Sequence, residues 1–149
     1  MRYLPLHFSL EGKRLLFVGG GRVNERRVLV LSQSPAEIVL VAPEITDRLK
    51  ALADSGRLKW RRRKFEPADL EGVDFVFVAV PKNEALKIVR EAKARRIPVE
   101  CASDHRVGDF IFPALVCKGD IIVSISTSGR DPSLSAKLKR LVAGVVEEF

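Results

Sequence analysis

Apolar residues along this chain fall into short runs, and most runs are followed by a stretch in which apolar positions recur at helical spacing. The first run, Leu15-Leu16-Phe17-Val18, follows a Pro-containing lead-in over residues 1–10 and a Glu11-Gly12-Lys13 turn, and it leads directly into Gly19-Gly20-Gly21. An apolar run ahead of glycines predicts a buried strand, a tight turn and a helix over 23–31. In that helix Val23, Val28, Val30 and Leu31 are expected toward the sheet, and Glu25, Arg26 and Arg27 toward solvent. Pro35 closes the segment. A second strand over 37–41 passes through Ala42-Pro43-Glu44 into a helix over 45–53, in which Ile45, Leu49 and Leu52 share a face and which Gly56 stops. Residues 58–60 begin a shorter, more polar strand suited to a sheet edge. The strongest strand pattern covers 74–80; Pro81 to Glu84 turn it into a helix through Arg95, with Ala85, Ile88, Val89 and Ala92 inward, and 97–101 return to the sheet.

Strands alternating with helices of this length predict right-handed crossovers, and so an α/β fold with a Rossmann-type doubly wound parallel sheet, assigned to residues 1–113. After Cys101 the pattern changes. A polar loop over 102–109 precedes Phe110-Ile111-Phe112-Pro113-Ala114, and a Gly119-Asp120 pair then separates two short apolar runs, which is a hairpin signal. A helix follows over 133–149, with Leu134, Leu138, Leu141, Val142 and Val145 apolar. Residues 114–149 are therefore expected to form a small antiparallel dimerisation region and a C-terminal helix.

With 149 residues and 46% hydrophobic content the chain can bury a core in one domain. No apolar run approaches the roughly 18 residues of a membrane helix, and the N-terminus lacks the apolar core of a signal peptide, so a cytoplasmic protein with no membrane partner is expected. Cys101 and Cys117 are too few for a disulfide framework or a zinc site; buried thiols and no metal are expected. The formal charge of +7 calls for a partner rich in negative charge: nucleic acid, a dinucleotide, or a small molecule bearing many carboxylates. The densest basic run, Arg61-Arg62-Arg63-Lys64, reads as a solvated strand end ahead of a binding patch. Aromatic residues are not interleaved with basic ones as in single-strand nucleic-acid binders, and no nucleic-acid partner is expected.

The candidate chemistry lies at strand ends, because ligands of such sheets bind outside the carboxyl ends where strand order reverses. Gly19 and Gly21 supply the first two glycines of a G-x-G-x-x-G pattern, and Asn24 stands at the third. Glycine lets the backbone approach a pyrophosphate, and a helix start offers it N–H donors. The stretches to watch are Gly19 to Val23, Ala42 to Glu44, Ala79 to Asn83, and Ala102 onward. Glu44 has two readings: an acceptor for adenosine ribose hydroxyls, or a favourable charge at the next helix N-terminus. Asp104 likewise has two, a loop cap or a base.

Taken in order, Leu4-Pro5-Leu6, Gly12-Lys13, Val18-Gly19-Gly20-Gly21-x-Val23-x-x-Arg26, Val41-Ala42-Pro43-Glu44, Phe110-Ile111-Phe112-Pro113-Ala114 and Ser126-Thr127-Ser128-Gly129-Arg130-Asp131-Pro132 resemble the siroheme synthase family, and more closely its precorrin-2 dehydrogenases. The resemblance covers essentially the whole chain. It implies NAD-dependent oxidation of precorrin-2 to sirohydrochlorin by a homodimer, and in some members insertion of ferrous iron. The cofactor-binding residues implied are Gly19, Gly20, Gly21, Arg22, Val23, Pro43, Glu44, Ala79 and Val80, with Asp104 as the catalytic acid. His105, Ser126, Thr127, Ser128 and Arg130 are candidate substrate-binding residues, and Asp109 is a substitute acid. His105 reads as a second proton carrier, a transient metal ligand or an exposed loop histidine, and Ser126 to Ser128 either line the tetrapyrrole cleft and bind its carboxylates or form a polar strand-to-helix turn. Two positions depart from the family, Asn24 for Ala and Pro81 for Thr, and the loop after Asp104 is one residue shorter. Most of the family's helical domain is missing after Phe149, so dehydrogenation is expected ahead of chelation. Two other classes fit parts of the pattern: a non-catalytic Rossmann module that senses a nucleotide, and a nucleic-acid binder using the +7 charge.

Overall fold

The apolar runs pair as parallel strands: β1 (Arg14–Val18), β2 (Glu37–Val41), β3 (Lys59–Arg61), β4 (Phe75–Val78) and β5 (Val99–Cys101). In this computed structural model, which describes residues 1–149, they form one sheet in the order β3-β2-β1-β4-β5. Every pairing is parallel, and Val18 lies level with both Val41 and Val78. Strand order thus reverses between β1 and β4, as in the nucleotide-binding α/β sheets.

Because side chains alternate along a strand, the sheet has two distinct faces. Leu16, Val18, Val39, Val41, Val76, Val78, Val99 and Cys101 share one face, buried with Ala85, Ile88, Val89 and Ala92 of helix α3 (Lys82–Ala94). The opposite face carries Phe17, stacked on Phe77 at 4.6 Å between centroids, and it is covered by α1 (Arg22–Leu31). Helix α2 (Asp47–Asp54) follows β2, with Leu49 buried, and Gly56 at φ +79 lies just beyond its end.

Three details differ from the sequence reading. Val23 is exposed, because Asn24 and Val28, one turn apart, form the inward face of α1 and leave Val23 on the outer side. Ile45 precedes its helix. The start is set by Thr46, whose hydroxyl accepts from Leu49 N at 3.4 Å, an N-cap that apolar spacing does not reveal. The basic run is a solvated strand end only in part: Arg62 and Lys64 are exposed, but Arg61 and Arg63 both bond the buried carboxylate of Asp69, at 2.6 and 2.7 Å. Burial pushes Asp69 up, and hydrogen bonds from Arg63, the Glu66 N–H and Arg61 outweigh it, leaving the carboxyl at about 2. Arg62 lies over the Trp60 ring, 5.4 Å from its centroid.

The chain divides into two compact units, Phe8–Phe110 and a second made of Met1–His7 with Ile111–Phe149. In the second, β6 (Ala114–Lys118) and β7 (Ile121–Ile125) form an antiparallel hairpin. Gly119 takes φ +56 at the first of its two turn positions, the type II′ pattern that matches strand twist. Helix α4 (Pro132–Val146) is capped at its start by Asp131, which accepts from Leu134 N at 2.8 Å. The Lys118 ammonium donates to the Glu147 carbonyl at 2.8 Å, placing a cation at the helix's negative end. Within this unit Val116 and Val146 are buried, but Leu134, Leu138, Leu141, Val145, Ile121 and Ile122 remain exposed. No helix is long and apolar enough to cross a membrane.

Candidate functional site

The carboxyl ends of β1, β2 and β4 open into a cleft of about 320 Å³, lined by Val18 to Gly20, Val41 to Glu44, Lys64, Phe65, Ala79 to Pro81 and Glu84. The three glycines play different parts there. Gly19 sits at φ +109, and a Cβ on it would come 2.2 Å from the Ala79 carbonyl oxygen; one on Gly20 would come 2.1 Å from that of Glu44. These two let the loops after β1, β2 and β4 close on one another. Gly21 is different. Its backbone, φ −86 and ψ −172, suits any residue, and a Cβ there would meet nothing within 4 Å. The fold does not require glycine at position 21, so the close approach of something from outside is what remains to account for it.

Gly21 is also the N-cap of α1, and no side chain caps the helix. The first-turn N–H groups, those of Arg22 and Val23 among them, have no intrahelical partner and point beyond the helix end. Glu25, the acid of that turn, accepts instead from the Thr46 hydroxyl at 2.9 Å. An uncapped helix start, an open glycine and a neighbouring cleft fit the pyrophosphate of a dinucleotide.

Asn24, at the third position of the glycine pattern, is fully buried. Its Nδ2 donates to the carbonyls of Val18 and Gly19 at 3.0 and 2.9 Å, fixing the turn by hydrogen bonds where a small residue would do so by close packing. Its Oδ1 accepts from Arg27 at 3.4 Å, and Arg27 in turn meets Glu100 of β5 at 2.6 Å, with both side chains largely buried. Burial raises the Glu100 carboxyl against the opposing pull of Arg27, and its Oε2 has no hydrogen-bond partner. A polar chain therefore runs beneath the glycine turn from β1 to β5, and nothing in the spacing of these residues announces it.

Glu44 lines the cleft two residues before the Thr46 cap of α2. Pro81 is the N-cap of α3 and offers no N–H, but its carbonyl accepts from Ala85 N at 2.9 Å. Lys64, Phe65 and Glu84 also line the cleft, although they lie outside the strand-end stretches. Phe65 packs against the buried core, so only its place beside β3 could have flagged it.

Asp104 lies in the loop after β5, on the same carboxyl edge of the sheet. It caps a 3₁₀ turn over His105–Val107, accepting from Arg106 N at 3.1 Å. Arg106 also clasps it from the side, Nε to Oδ1 at 2.9 Å and Nη2 to Oδ2 at 3.1 Å, and the Lys82 ammonium stands 3.8 Å from Oδ2. The Arg106 hydrogen bonds, from side chain and then backbone, with Lys82 adding charge, hold the carboxyl at about 2. Clasped in this way it is a weak base. Asp109 is not a substitute for it: that side chain accepts from Val99 N at 3.0 Å, at the opposite end of β5, where the loop has doubled back.

The remaining residues expected to meet substrate belong to the other compact unit. Ser126 Oγ accepts from Ser128 N at 3.0 Å, and Ser128 sits at φ 58. Thr127 Oγ1 accepts from Asp131 N at 3.0 Å, and Arg130 is exposed. These hydroxyls shape the turn that starts α4.

Comparison with known proteins adds independent findings. Residues 6–114 match a family described as "Putative NAD(P)-binding". Precorrin-2 dehydrogenase of Bacillus subtilis is 32% identical over 144 residues, covering 97% of this chain and 89% of the relative. Siroheme synthase 1 of Cronobacter sakazakii is 36% identical over 98% of this chain, which spans only 31% of that longer protein. Among solved structures, one titled "SirC, precorrin-2 dehydrogenase" superposes with a TM-score of 0.79 at 28% identity, over 95% of this chain and 70% of the other.

Proposed function

The chain belongs to the precorrin-2 dehydrogenase family, and on that premise we propose that it oxidises precorrin-2 to sirohydrochlorin with NAD as acceptor. The observation that carries this reading is Gly21, a glycine the fold does not need, beside a cleft at the point where strand order reverses. When bound, the nicotinamide supplies the hydride acceptor. The chain's own groups do the rest. The N–H groups of Arg22 and Val23 donate to the pyrophosphate, Gly19 and Gly20 give the backbone its close turn, and Glu44 with Pro43 borders the ribose. Ala79 and Val80 wall the cleft at the end of β4. Asp104 takes the proton that leaves the macrocycle as the hydride departs. A charge of +7 complements a substrate that carries acetate and propionate groups. His105, Ser126, Thr127, Ser128 and Arg130 are further contacts for those groups, each measurable by single substitution.

The cofactor-binding domain in this reading runs to residue 113, with 114–149 serving to dimerise. Exposed Leu134, Leu138, Leu141 and Val145 on one helix support a homodimer that covers them. Two free cysteines suit a reducing, cytoplasmic setting.

The test is incubation with precorrin-2 and NAD, following NADH and the oxidised tetrapyrrole by absorbance. Turnover is expected, with Asp104→Ala slowing it by about 100-fold or more while NAD affinity by calorimetry is kept. Gly21→Asp is expected to weaken NAD binding by setting a side chain and a like charge against the pyrophosphate. NAD binding with no turnover in the unaltered protein would leave a nucleotide-sensing module.

A further inference from the structure

The clasp on Asp104 poses a chemical problem. Three hydrogen bonds from Arg106 occupy both carboxylate oxygens, Lys82 approaches Oδ2 at 3.8 Å, and the Asp104 side chain is only 10% exposed. A carboxylate held by a bidentate guanidinium accepts a proton only if that pairing is given up. Two cations, Arg106 and Lys82, face this one carboxylate. The cations are the accessible members, at 68% side-chain exposure for Arg106 and 59% for Lys82. The Asp104 cap on Arg106 N is a separate bond, made by the backbone, so the loop keeps an anchor if the guanidinium swings away. At its far end the loop is tied by Asp109, through Asp109 N to the Val99 carbonyl at 2.7 Å.

We propose that Arg106 is the anchor for a peripheral carboxylate of the substrate, and that its transfer from Asp104 to that carboxylate is what uncovers Asp104 as the base. This rests on the dehydrogenase reading above and names the group that recognises the substrate's acid side chains. The exchange moves no proton: one guanidinium–carboxylate pair breaks and another forms, with the same fork geometry on both sides. Lys82 stays beside Asp104 and keeps it ionised until the reaction. The oxidation then removes one hydride and one proton from the macrocycle; Asp104 Oδ2 takes the proton and later returns it to water. Binding and base activation are thereby coupled, and without an acidic substrate the base stays masked.

Arg106→Ala tests this, with Arg106→Lys as its partner, since lysine keeps the charge but not the fork. In R106A the KM for precorrin-2, and the Kd for sirohydrochlorin titrated by its own absorbance without NAD, are expected to rise about 10- to 100-fold, with NAD affinity unchanged. R106K is expected to recover part of this. The kcat of R106A is expected to hold within about threefold, because Asp104 is already uncovered there and the loss falls on KM. Turnover by the unaltered protein together with an unchanged KM and Kd in R106A, or with a fall in kcat alone, would overturn the exchange alone, leaving Arg106 as a loop brace. Absence of NAD-dependent turnover in the unaltered protein would overturn the dehydrogenase reading and the exchange with it.

Discussion

Phe17, Leu40 and Val78 in the sheet unit have no measurable exposure, whereas Leu141 and Val145 on α4 leave 62% and 57% of their surface uncovered. The contrast is one of closure. Residues 8–110 cover both faces of their sheet with their own helices and lock the buried charges they cannot avoid, Arg27 with Glu100 and Asp69 with Arg61 and Arg63. The hairpin and α4 bury a small seam around Val116 and Val146 and present the rest of an apolar helix to solvent. A sheet with covered faces needs nothing from outside to be stable. A two-stranded hairpin with a single helix does, because it is too thin to enclose its own apolar side chains. Stability in the first unit should therefore answer to pH and to internal substitutions, and in the second to protein concentration.

The largest expected effect breaks a lock in the sheet unit. Arg27→Met leaves the buried Glu100 carboxylate without its partner and is expected to cost about 3–5 kcal/mol in chemical denaturation, independent of protein concentration. Next comes acid. Asp69 sits at about 2 when folded, below its ordinary value, so its contribution is complete above about pH 4 and is lost as pH falls toward 2. Unfolding free energy measured across that window should drop by about 2 kcal/mol from this group, a dependence Asp69→Asn should remove. The smallest effect is the one that sharpens the contrast. Leu141→Lys is expected to weaken self-association about tenfold, read by sedimentation over a concentration series, as about 1.5 kcal/mol of apolar burial is forfeited. Denaturation of the sheet unit should stay where it was; a concentration-independent loss there instead would mean that Leu141 packs within the monomer.

The parallel sheet is legible in the sequence because its strands are buried on both sides and read as unbroken apolar runs, as Leu15 to Val18 do. The hairpin is legible from Gly119-Asp120 for a different reason, the positive φ that one turn position demands. That Gly19, Gly20, Pro43, Glu44, Ala79 and Val80 share one cleft also follows from strand ends meeting at one edge. What escapes the sequence is polar and long-range. Asp69 looks like a surface acid until Arg61 and Arg63 are seen to converge on it, and Glu100 looks misplaced between Val99 and Cys101 until Arg27 arrives from α1. Asn24 reads as a lapse in a glycine pattern, since the two carbonyls it holds come together only when the turn has formed. Side-chain hydrogen bonds to backbone leave no periodicity, and periodicity is what the eye follows along a chain.

The sole tryptophan turns these arguments into something visible in a cuvette. Trp60 donates its indole N–H to the Ala42 carbonyl at 2.9 Å, and Ala42 is part of the cleft wall. Any occupant settling against that wall changes the surroundings of a lone fluorophore, and a reduced nicotinamide, absorbing where indole emits, would drain its light. The protein carries its own optical gauge of occupancy, with no second emitter of its kind to blur the reading.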